Sequence, residues 1–309
     1  MSKAIVTGGA GFIGSHIAEE LLRRGYRVII FDNLSTGRLS NIEHVLESKN
    51  AEFTRGSITN LPLLQKLFSG VDYVFHQAAI ASVPNSIKNP KASQNTNMTG
   101  TLNVLIAARD NGVKKLVYAS SSSVYGNTPA LPKVEDMSPE PQSPYAVTKL
   151  AGEYYCKVFQ EIYGLNTISL RYFNVYGPRQ DPDSPYAAVI PLFVTNVLAG
   201  KAPVIFGDGE QSRDFTFVKD VARANILAAE SSVNGIFNIG SSTRITINYL
   251  AQLVIKLAGK NTIKPVYQKA RAGDVLHSLA DITKAQTFGY RPEYSLEEGL
   301  KEAVKYLRE

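Results

Sequence analysis

Tyr145 and Lys149 have the residue types and the spacing for acid–base chemistry. They form a Y-x-x-x-K pattern that directly follows Pro144 and opens a helical pattern. Residues four apart share one face of a helix, so the phenol and the ammonium would be neighbours. A tyrosine with its ordinary pKa of about 10 is a poor base at neutral pH. A neighbouring cation favours the phenolate, which makes the pair a candidate general acid–base group, whereas the pattern alone is also compatible with a surface pair.

A run of serines, A-S-S-S-S-V-Y-G at residues 119–126, follows an apolar stretch that is typical of a buried strand. Hydroxyls at the end of a parallel strand lie where open α/β sheets bind ligands. Ser121 and Ser122 could therefore donate to a substrate oxygen and pass protons. Ser120 and Ser123 are equally well explained as polar residues that cap the next segment.

Gly8, Gly11 and Gly14 form a G-x-x-G-x-x-G pattern between a strand and a helix. Glycines there allow a tight turn and let backbone N–H groups approach a pyrophosphate at the positive end of the helix, which predicts a dinucleotide site. Asp32 ends the second strand. A carboxylate there accepts hydrogen bonds from ribose hydroxyls and repels a 2′-phosphate, so NAD is favoured over NADP, with nearby Arg38 as the residue that could reverse this preference. A cationic nicotinamide would add a second positive charge beside Tyr145.

The elements that must position these residues alternate between strands and helices. Strands are expected at 4–7, 27–31, 52–54, 73–75, 116–119, 167–170 and 236–239. Helices are expected at 12–24, 60–69, 97–111, 144–163, 246–258 and 296–307, with a strand–helix pair at 215–229. Such βαβ units predict an α/β fold of the Rossmann type, a doubly wound parallel sheet with helices on both faces.

After about residue 174 the sequence changes, with four prolines around a polar loop between 178 and 191. We therefore expect a smaller C-terminal α/β lobe that binds substrate. The predicted division is 1–173, with returning segments near 213–240, for the NAD-binding domain. Residues 174–212 and 241–309 are then assigned to the substrate lobe.

Composition excludes several classes of function. The chain has 309 residues, of which 44% are hydrophobic and 19% charged, which is ordinary for a globular protein. The net charge is +6, but the basic residues are scattered, so neither nucleic-acid nor membrane-surface binding is expected. No apolar run is long enough for a membrane span, and no secretory signal is expected. The only cysteine, Cys156, and four histidines without ligand spacing predict a cytoplasmic protein without a metal site.

These motifs together resemble the extended short-chain dehydrogenase/reductase superfamily. The resemblance rests on the glycine loop, D-N-L-S-T-G at 32–37, H-Q-A-A at 76–79, N-x-x-G-T at 97–101, the serine run and Y-x-x-x-K. It implies a catalytic triad of Ser121, Tyr145 and Lys149, with Ser122 beside it. The implied NAD contacts are Gly8, Gly11, Phe12, Ile13, Gly14, Asp32, Asn33, Ser35, Thr36, Gly37, Ser57, Ile58, Gln77, Ala78, Ala79, Asn97, Tyr145, Lys149 and Tyr172. Ser57 departs from the family pattern, in which an aspartate usually contacts adenine.

The serine run separates the reactions that share this scaffold. Family 4,6-dehydratases carry Asp-Glu beside the catalytic hydroxyl, and the decarboxylases place Glu just before V-Y-G. This chain has Ser122 and Ser123 in that region, which favours simple oxidation and re-reduction at C4 of a sugar. The expected activity is therefore that of a 4-epimerase.

The C-terminal half carries the expected substrate site. R-Y-F-N-V-Y-G-P-R-Q-D-P at 171–182 and Y-A-A-V-I-P at 186–191 resemble UDP-N-acetylglucosamine 4-epimerases and, less closely, UDP-glucose 4-epimerases. The resemblance implies diphosphate contacts by Asn174, Arg213 and Arg271, a uracil site near Val189 and Phe206, and a ribose contact by Asp274. Ser278, with Ser82 and Val83, would leave room for a 2-acetamido group.

Three alternatives remain open at this stage. The chain could be a UDP-glucuronate epimerase or a reductase of the same superfamily. A non-catalytic NAD-binding regulatory protein is a third reading, although such proteins commonly lose the tyrosine or the lysine. By analogy with the superfamily, we expect a UDP-sugar substrate and a homodimer formed through the helices near 97–111 and 144–163.

Overall fold

The structure, a computed structural model, describes residues 1–183, 188–270 and 276–308. Elements are numbered in chain order. The strands are Lys3–Thr7 (β1), Arg27–Asp32 (β2), Ala51–Arg55 (β3), Tyr73–His76 (β4), Lys115–Ser121 (β5), Thr167–Tyr172 (β6), Val175–Tyr176 (β7), Val204–Phe206 (β8), Ser212–Asp214 (β9), Thr216–Phe217 (β10), Gly235–Ile239 (β11), Arg244–Thr246 (β12) and Val266–Gln268 (β13). The helices are Phe12–Arg23 (α1), Glu43–Leu46 (α2), Leu61–Leu67 (α3), Val83–Lys88 (α4), Pro90–Gln94 (α5), Gly100–Asp110 (α6), Pro144–Tyr163 (α7), Val189–Leu198 (α8), Val218–Glu230 (α9), Ile247–Leu257 (α10) and Leu296–Arg308 (α11).

Seven parallel strands form the central sheet, in the order β3-β2-β1-β4-β5-β6-β11. The predicted Rossmann-type fold is confirmed. The strand order reverses between β1 and β4, which makes the carboxyl ends of these strands the expected place for a ligand. The glycine loop follows β1 and the serine run follows β5, so both open at this edge.

The strands are buried on both faces, as their apolar sequences predict. Val6, Val117 and Ile168 belong to one core, whereas their neighbours Ile5 and Leu116 belong to the core on the opposite face. Because successive residues of a strand point to opposite faces, such runs need helices on both sides. The result is a rigid base beneath the strand ends.

Helix α7 begins with strong local signals. The Ser143 hydroxyl accepts a hydrogen bond from the N–H of Ala146, and Pro144 occupies the first helical position. At the other end Gly164 has φ +70°, the left-handed conformation that commonly terminates helices. Tyr145 therefore lies in the first turn of a well-defined helix.

A third core lies in the C-terminal half and joins α8, α10 and α11. Phe193, Leu250 and Leu300 are among its buried members. Helix α8 was not predicted, because its first turn contains Pro191 and follows three other prolines. Proline is tolerated there, since the first N–H groups of a helix lack intrahelical partners. The segments α9 and β11 return to the central sheet, while the exact division into lobes stays a prediction.

No helix in the described ranges combines the length and the apolar character that crossing a membrane would require.

Candidate active site

The β1–α1 turn is shaped for close backbone approach. Gly8 has φ +66°, and a Cβ there would lie 2.7 Å from the amide nitrogen of Ala78. A Cβ at Gly14 would lie 2.2 Å from the Gly8 carbonyl oxygen. Both positions exclude any side chain, since heavy atoms cannot approach so closely. The first turn of α1 thereby presents its backbone N–H groups beside the loop after β4, which suits a pyrophosphate.

Phe12 and Ile13, in this first turn, have side chains that pack against the C-terminal core. Their N–H groups remain at the helix start, where they could bind an anion, while the side chains join the two halves of the molecule. Sequence reasoning predicted their cofactor role but not this second contact.

Asp32 lies at the end of β2 and is 7% exposed. Its carboxylate accepts hydrogen bonds from the N–H groups of Ala10 (3.1 Å) and Leu34 (2.7 Å). A Cβ at Gly37 would lie 2.8 Å from this carboxylate, so the 33–37 loop packs closely over it. In the same loop Asn33 accepts a hydrogen bond from the N–H of Ser35, and Thr36 lies between Ser35 and Gly37. The carboxylate thus anchors both loops of the expected adenosine site.

Arg38 does not extend alone toward this site. Its guanidinium donates to Asp181 at 2.9 Å, and its backbone N–H donates to Ala10. The cation that could have favoured a 2′-phosphate is paired with a carboxylate from the second half of the chain.

Ser57 and Ile58 occupy the turn after β3. The Ser57 hydroxyl is hydrogen-bonded to the hydroxyl of Thr59 at 2.8 Å, within its own turn. Ile58 is buried, and a Cβ at Gly100 would lie 2.4 Å from its Cδ1 atom. Ile58 therefore packs on the start of α6, whereas Ser57 stays at the rim.

The predicted catalytic residues converge at the end of β5. Lys149 is 4% exposed, its ammonium donates to the Ala119 carbonyl at 2.8 Å, and it lies 5.8 Å from the centre of the Tyr145 ring. The Ser121 hydroxyl lies close enough to Tyr145 to act on its pKa. A turn of 3₁₀ helix, Ser122–Tyr125, begins directly after β5, and its first N–H groups include that of Ser123, which donates to the Ser121 hydroxyl. Ser122 thus lies beside the group, as the first residue of this turn.

Burial dominates the protonation of these groups. Burial raises the pKa of Tyr145, and the hydrogen bond with Ser121 opposes this rise. Burial lowers the pKa of Lys149 to about 8. The expected lowering of the tyrosine pKa depends on the ammonium and a cationic nicotinamide together, and the protein groups alone raise it. A cationic nicotinamide would supply the missing positive charge.

Asn97 lies in a turn of π helix, Asn95–Thr99, and is buried. Its amide accepts from the N–H of Ile80 and donates to the Ile80 carbonyl and to the Thr148 hydroxyl. Thr148 precedes Lys149, so Asn97 joins the loop after β4 to the catalytic helix. This geometry suits a residue that supports the active site, and π turns often occur at functional sites.

Gln77 and Tyr172 share a polar cluster that contains a residue not predicted from sequence. The Tyr172 hydroxyl donates to Asn225 at 2.9 Å, and the Gln77 amide donates to both Tyr172 and Asn225. Asn225 lies on α9 and is fully buried. The sequence feature that could have indicated this contact is an asparagine on the apolar face of α9. The cluster fixes the segment that continues into Ala78 and Ala79.

Ser82 and Val83 lie at the start of α4. The Ser82 hydroxyl accepts from the N–H of Asn85 and caps the helix, and Val83 is exposed. Ser86, on the same helix, accepts from the N–H of Tyr145 at 3.1 Å and was not predicted. Helix α4 therefore contacts the start of α7.

A cavity of about 540 Å³ lies in the C-terminal half, between β7, α8, β8 and β9. Four predicted substrate residues line it, namely Asn174, Val189, Phe206 and Arg213. Tyr176, Phe193 and Phe215 give its wall an apolar surface. Among the described residues, neither Ser82 nor Val83 lines this cavity. A partly apolar slot that contains the guanidinium of Arg213 suits a flat aromatic base that carries an anionic group.

Asn174 and Ser278 are direct neighbours. The Asn174 amide donates to the Ser278 hydroxyl at 3.1 Å and to the Asp214 carbonyl at 3.0 Å. Ser278 also accepts from the N–H of Asp214. Ser278 thus orients Asn174 in addition to being small. Two predicted substrate residues, Arg271 and Asp274, lie outside the described residues.

The described residues contain no group of three or more histidine, cysteine or acidic side chains arranged to hold a metal ion. His76 is buried between the hydroxyls of Thr7 (2.7 Å) and Thr101 (2.9 Å), and burial lowers its pKa to about 3. His76 therefore packs at the end of β4.

Comparison with known proteins assigns these features to a family. Residues 4–240 match the model of the NAD-dependent epimerase/dehydratase family. The chain is similar to the solved structure of a UDP-N-acetylglucosamine 4-epimerase from Methanobrevibacter ruminantium in complex with UDP-N-acetylmuramic acid. The TM-score is 0.95 at 44% identity, covering 99% of this chain and 97% of that one.

Two further relatives cover nearly the same length. A UDP-glucose 4-epimerase from Thermotoga maritima, solved with UDP-glucose, is 43% identical with a TM-score of 0.93, covering 99% of this chain and 98% of that one. A UDP-glucuronate 4-epimerase from Thermodesulfobacterium geofontis is 39% identical over 100% of this chain and 97% of its own length. The relatives therefore share a type of reaction and differ in the sugar.

Proposed function

Because the chain belongs to the NAD-dependent epimerase/dehydratase family, we propose that it is a UDP-hexose 4-epimerase that inverts C4 of UDP-GlcNAc and UDP-GalNAc, and also of UDP-glucose and UDP-galactose. The observation that carries this proposal is the convergence of Ser121, Tyr145 and Lys149 at the end of β5. Hydroxyls, and no carboxylate, occupy positions 120–123. An elimination or a decarboxylation would need a further acid or base there.

The protein groups fit NAD. The cradle formed by Gly8 and Gly14 admits no Cβ, and Asp32 lies at the end of β2 as a ribose ligand requires. When bound, NAD supplies the hydride acceptor and donor. Tyr145 takes the proton of the 4-hydroxyl, directly or through Ser121, and gives a proton back to the C4 oxygen when hydride returns to the opposite face of the 4-keto sugar. Lys149, held on the Ala119 carbonyl, stabilises the tyrosinate by its charge.

The nucleotide end remains bound while the 4-keto sugar turns over. Arg213 and Asn174 are the described candidates for the diphosphate, and the apolar wall near Val189 and Phe206 is the candidate for uracil. Charge-assisted hydrogen bonds from a guanidinium suit a diphosphate. Binding energy from this remote end keeps the intermediate on the protein while the sugar itself stays loosely held.

The small Ser278 supports acceptance of an acetamido group, and the relative that acts on UDP-glucuronate marks the main alternative substrate. A uronate enzyme should place a cation for the sugar carboxylate. The deciding experiment offers UDP-glucose, UDP-GlcNAc and UDP-glucuronate separately to the purified protein and resolves the products by anion-exchange chromatography. We expect C4 epimers of the first two. Product from UDP-glucuronate alone would replace this proposal with the uronate alternative, and no product from any of the three would refute it.

We also propose a homodimer formed through α6 and α7. Val147, Tyr154, Val158 and Ile162 of α7 are exposed and recur at helical spacing. A continuous apolar stripe of this kind is typical of an interaction face. Light scattering on the protein and on Val158→Glu tests the proposal, and a monomeric wild-type protein would refute it.

A further inference from the structure

The strongest polar contact beneath the catalytic residues is a buried ion pair. Glu153 of α7 and Arg171 of β6 have side chains 1% and 2% exposed. The Arg171 Nε and Nη2 atoms each donate to one carboxylate oxygen of Glu153 at 2.8 Å. The Ser120 hydroxyl donates to the same carboxylate. One carboxylate therefore holds two neighbouring strands, β5 and β6, to the catalytic helix.

The position of this carboxylate relative to the sheet is informative. Ser120 and Arg171 are directly paired across β5 and β6, and the next pair toward the strand ends is Ser121 with Tyr172. Glu153 follows Lys149 by one helical turn on the same face of α7. Along the strands, Ser120 and Arg171 therefore lie one residue before Ser121 and Tyr172, which are nearer the carboxyl ends.

The surrounding contacts leave Arg171 little freedom. Its guanidinium lies 4.6 Å from the centre of the Tyr125 ring and donates to the Glu135 carbonyl. Tyr125 in turn donates to Asn238 of β11 at 2.7 Å. A buried charge pair held by these contacts can favour one register between a helix and two strands, because sliding would leave its charges without partners.

Helix α7 approaches β5 very closely beside this ion pair. A Cβ at Gly152 would lie 2.2 Å from the Tyr118 hydroxyl oxygen, so the helix touches the strand one residue before Glu153. Lys149 makes the second tether, through the Ala119 carbonyl. Tethers at Ala119 and Ser120 determine where the next residue, Ser121, lies relative to Tyr145.

We propose that Glu153, acting through Ser120 and Arg171, is a positioning residue that sets the Ser121 hydroxyl against Tyr145. It does not itself touch substrate or cofactor. This inference rests on the proposed function, because it assigns the Ser121–Tyr145 contact a part in the C4 proton transfer. Its loss should lower kcat and leave the KM for the UDP-sugar within about threefold, since the nucleotide cavity is built from other elements.

The main test is Ser120→Ala, which removes the link to β5 and leaves the Glu153–Arg171 pair intact. We expect a thermal midpoint near that of the wild type and a kcat lower by about tenfold, since misplacement by about 1 Å can cost up to about a hundredfold. We also expect the acidic limb of the pH–kcat profile to move to higher pH, because the hydrogen bond from Ser121 lowers the pKa of Tyr145. Lys149 and Tyr118, the titratable neighbours of Tyr145, are unchanged in this variant.

A second variant separates positioning from stability. Glu153→Gln leaves a buried guanidinium without its charge partner and is expected to be unstable. The double variant Glu153→Met with Arg171→Met removes both charges, and we expect it to regain the thermal midpoint but to keep the low kcat and the shifted profile. Lys115→Met is the matched control, because Lys115 is a buried cation at the other end of β5, on the carbonyls of Ser231 and Val233. It should lose stability and keep the wild-type pH profile.

The outcomes distinguish the two proposals. A wild-type protein that inverts none of the UDP-sugars refutes the proposed function before any variant is measured. With an active wild type, Ser120→Ala and the double variant at wild-type kcat and with an unchanged pH profile would overturn the positioning role. A low kcat and a shifted profile in both variants, but not in Lys115→Met, would establish it.

Discussion

The end of β5 and the C-terminal cavity differ in how tightly they would hold a substrate. Around Tyr145 and Lys149 the polar groups are buried or half-buried and held by short contacts, such as the 2.8 Å bond from Lys149 to the Ala119 carbonyl. The cavity near Phe206 and Arg213 is instead a space of about 540 Å³ with apolar and polar residues in its wall. An epimerase needs both, since the reacting atoms must be fixed while the sugar presents each face in turn. We therefore expect the first region to determine kcat and the second to determine KM.

The largest expected effect comes from the fixed region. Tyr145→Phe removes the proposed acid–base hydroxyl and keeps the ring, so the NAD site should stay intact. We expect kcat to fall by about a hundred- to ten-thousandfold, the usual contribution of a positioned acid–base group. Epimer formation by anion-exchange chromatography measures the loss, and cofactor content checks the fold. A wild-type kcat in this variant would remove Tyr145 from the mechanism.

Arg213 tests the cavity in the same way. Arg213→Ala removes the described guanidinium proposed to bind the diphosphate. Hydrogen bonds to charged groups contribute about 1.5–3 kcal/mol, so KM should rise about ten- to hundredfold with kcat nearly unchanged. Arg244→Ala is a suitable control, since Arg244 lies on the neighbouring β12 but is exposed and does not line the cavity. A fall in kcat without a rise in KM would break the proposed division between the regions.

Substitutions at Ser278, a neighbour of the cavity residue Asn174, test whether this position determines the size of the sugar that the site accepts. Ser278→Ala loses the contacts with Asn174 and Asp214 and keeps the space, so both UDP-GlcNAc and UDP-glucose should suffer by about two- to tenfold in kcat/KM. Ser278→Tyr should lower the UDP-GlcNAc to UDP-glucose ratio of kcat/KM at least about tenfold, a typical penalty for excess bulk. The ratio is the observable, because structural damage lowers both values together. An unchanged ratio would contradict the size argument.

The two regions also differ in how far sequence could predict them. The glycine loop, the serine run and Y-x-x-x-K are local patterns, and their strands and helices were predicted from apolar periodicity. Asn174, by contrast, contacts residues 40 and 104 positions away, and no local pattern encodes that meeting. Helix α8 was missed because its prolines suggested a loop.

The sequence also did not predict which buried polar residues contact the site residues. Asn225 and Glu153 lie within helices that the apolar pattern predicts. That pattern does not indicate which distant residues their buried side chains contact. The rise that burial causes in the Tyr145 pKa was not visible in the sequence for a related reason. The charge of Lys149 is visible in the sequence, whereas burial depends on everything packed around the ring. Spacing predicts which groups are neighbours, and only the fold determines their solvation.

The smallest expected effect concerns a contact between the second half of the chain and the loop expected to bind adenosine. Asp181 pairs with Arg38 at 2.9 Å, but their side chains are 38% and 54% exposed. Exposed ion pairs contribute about 0–1 kcal/mol, and Asp32 would still repel a 2′-phosphate, so Asp181→Asn should improve NADP binding relative to NAD by no more than about threefold. The change should disappear at high salt, because an exposed cation is screened. Asp32→Ser is the control expected to exceed it, and a larger effect from Asp181→Asn would mean that the substrate half also selects the cofactor.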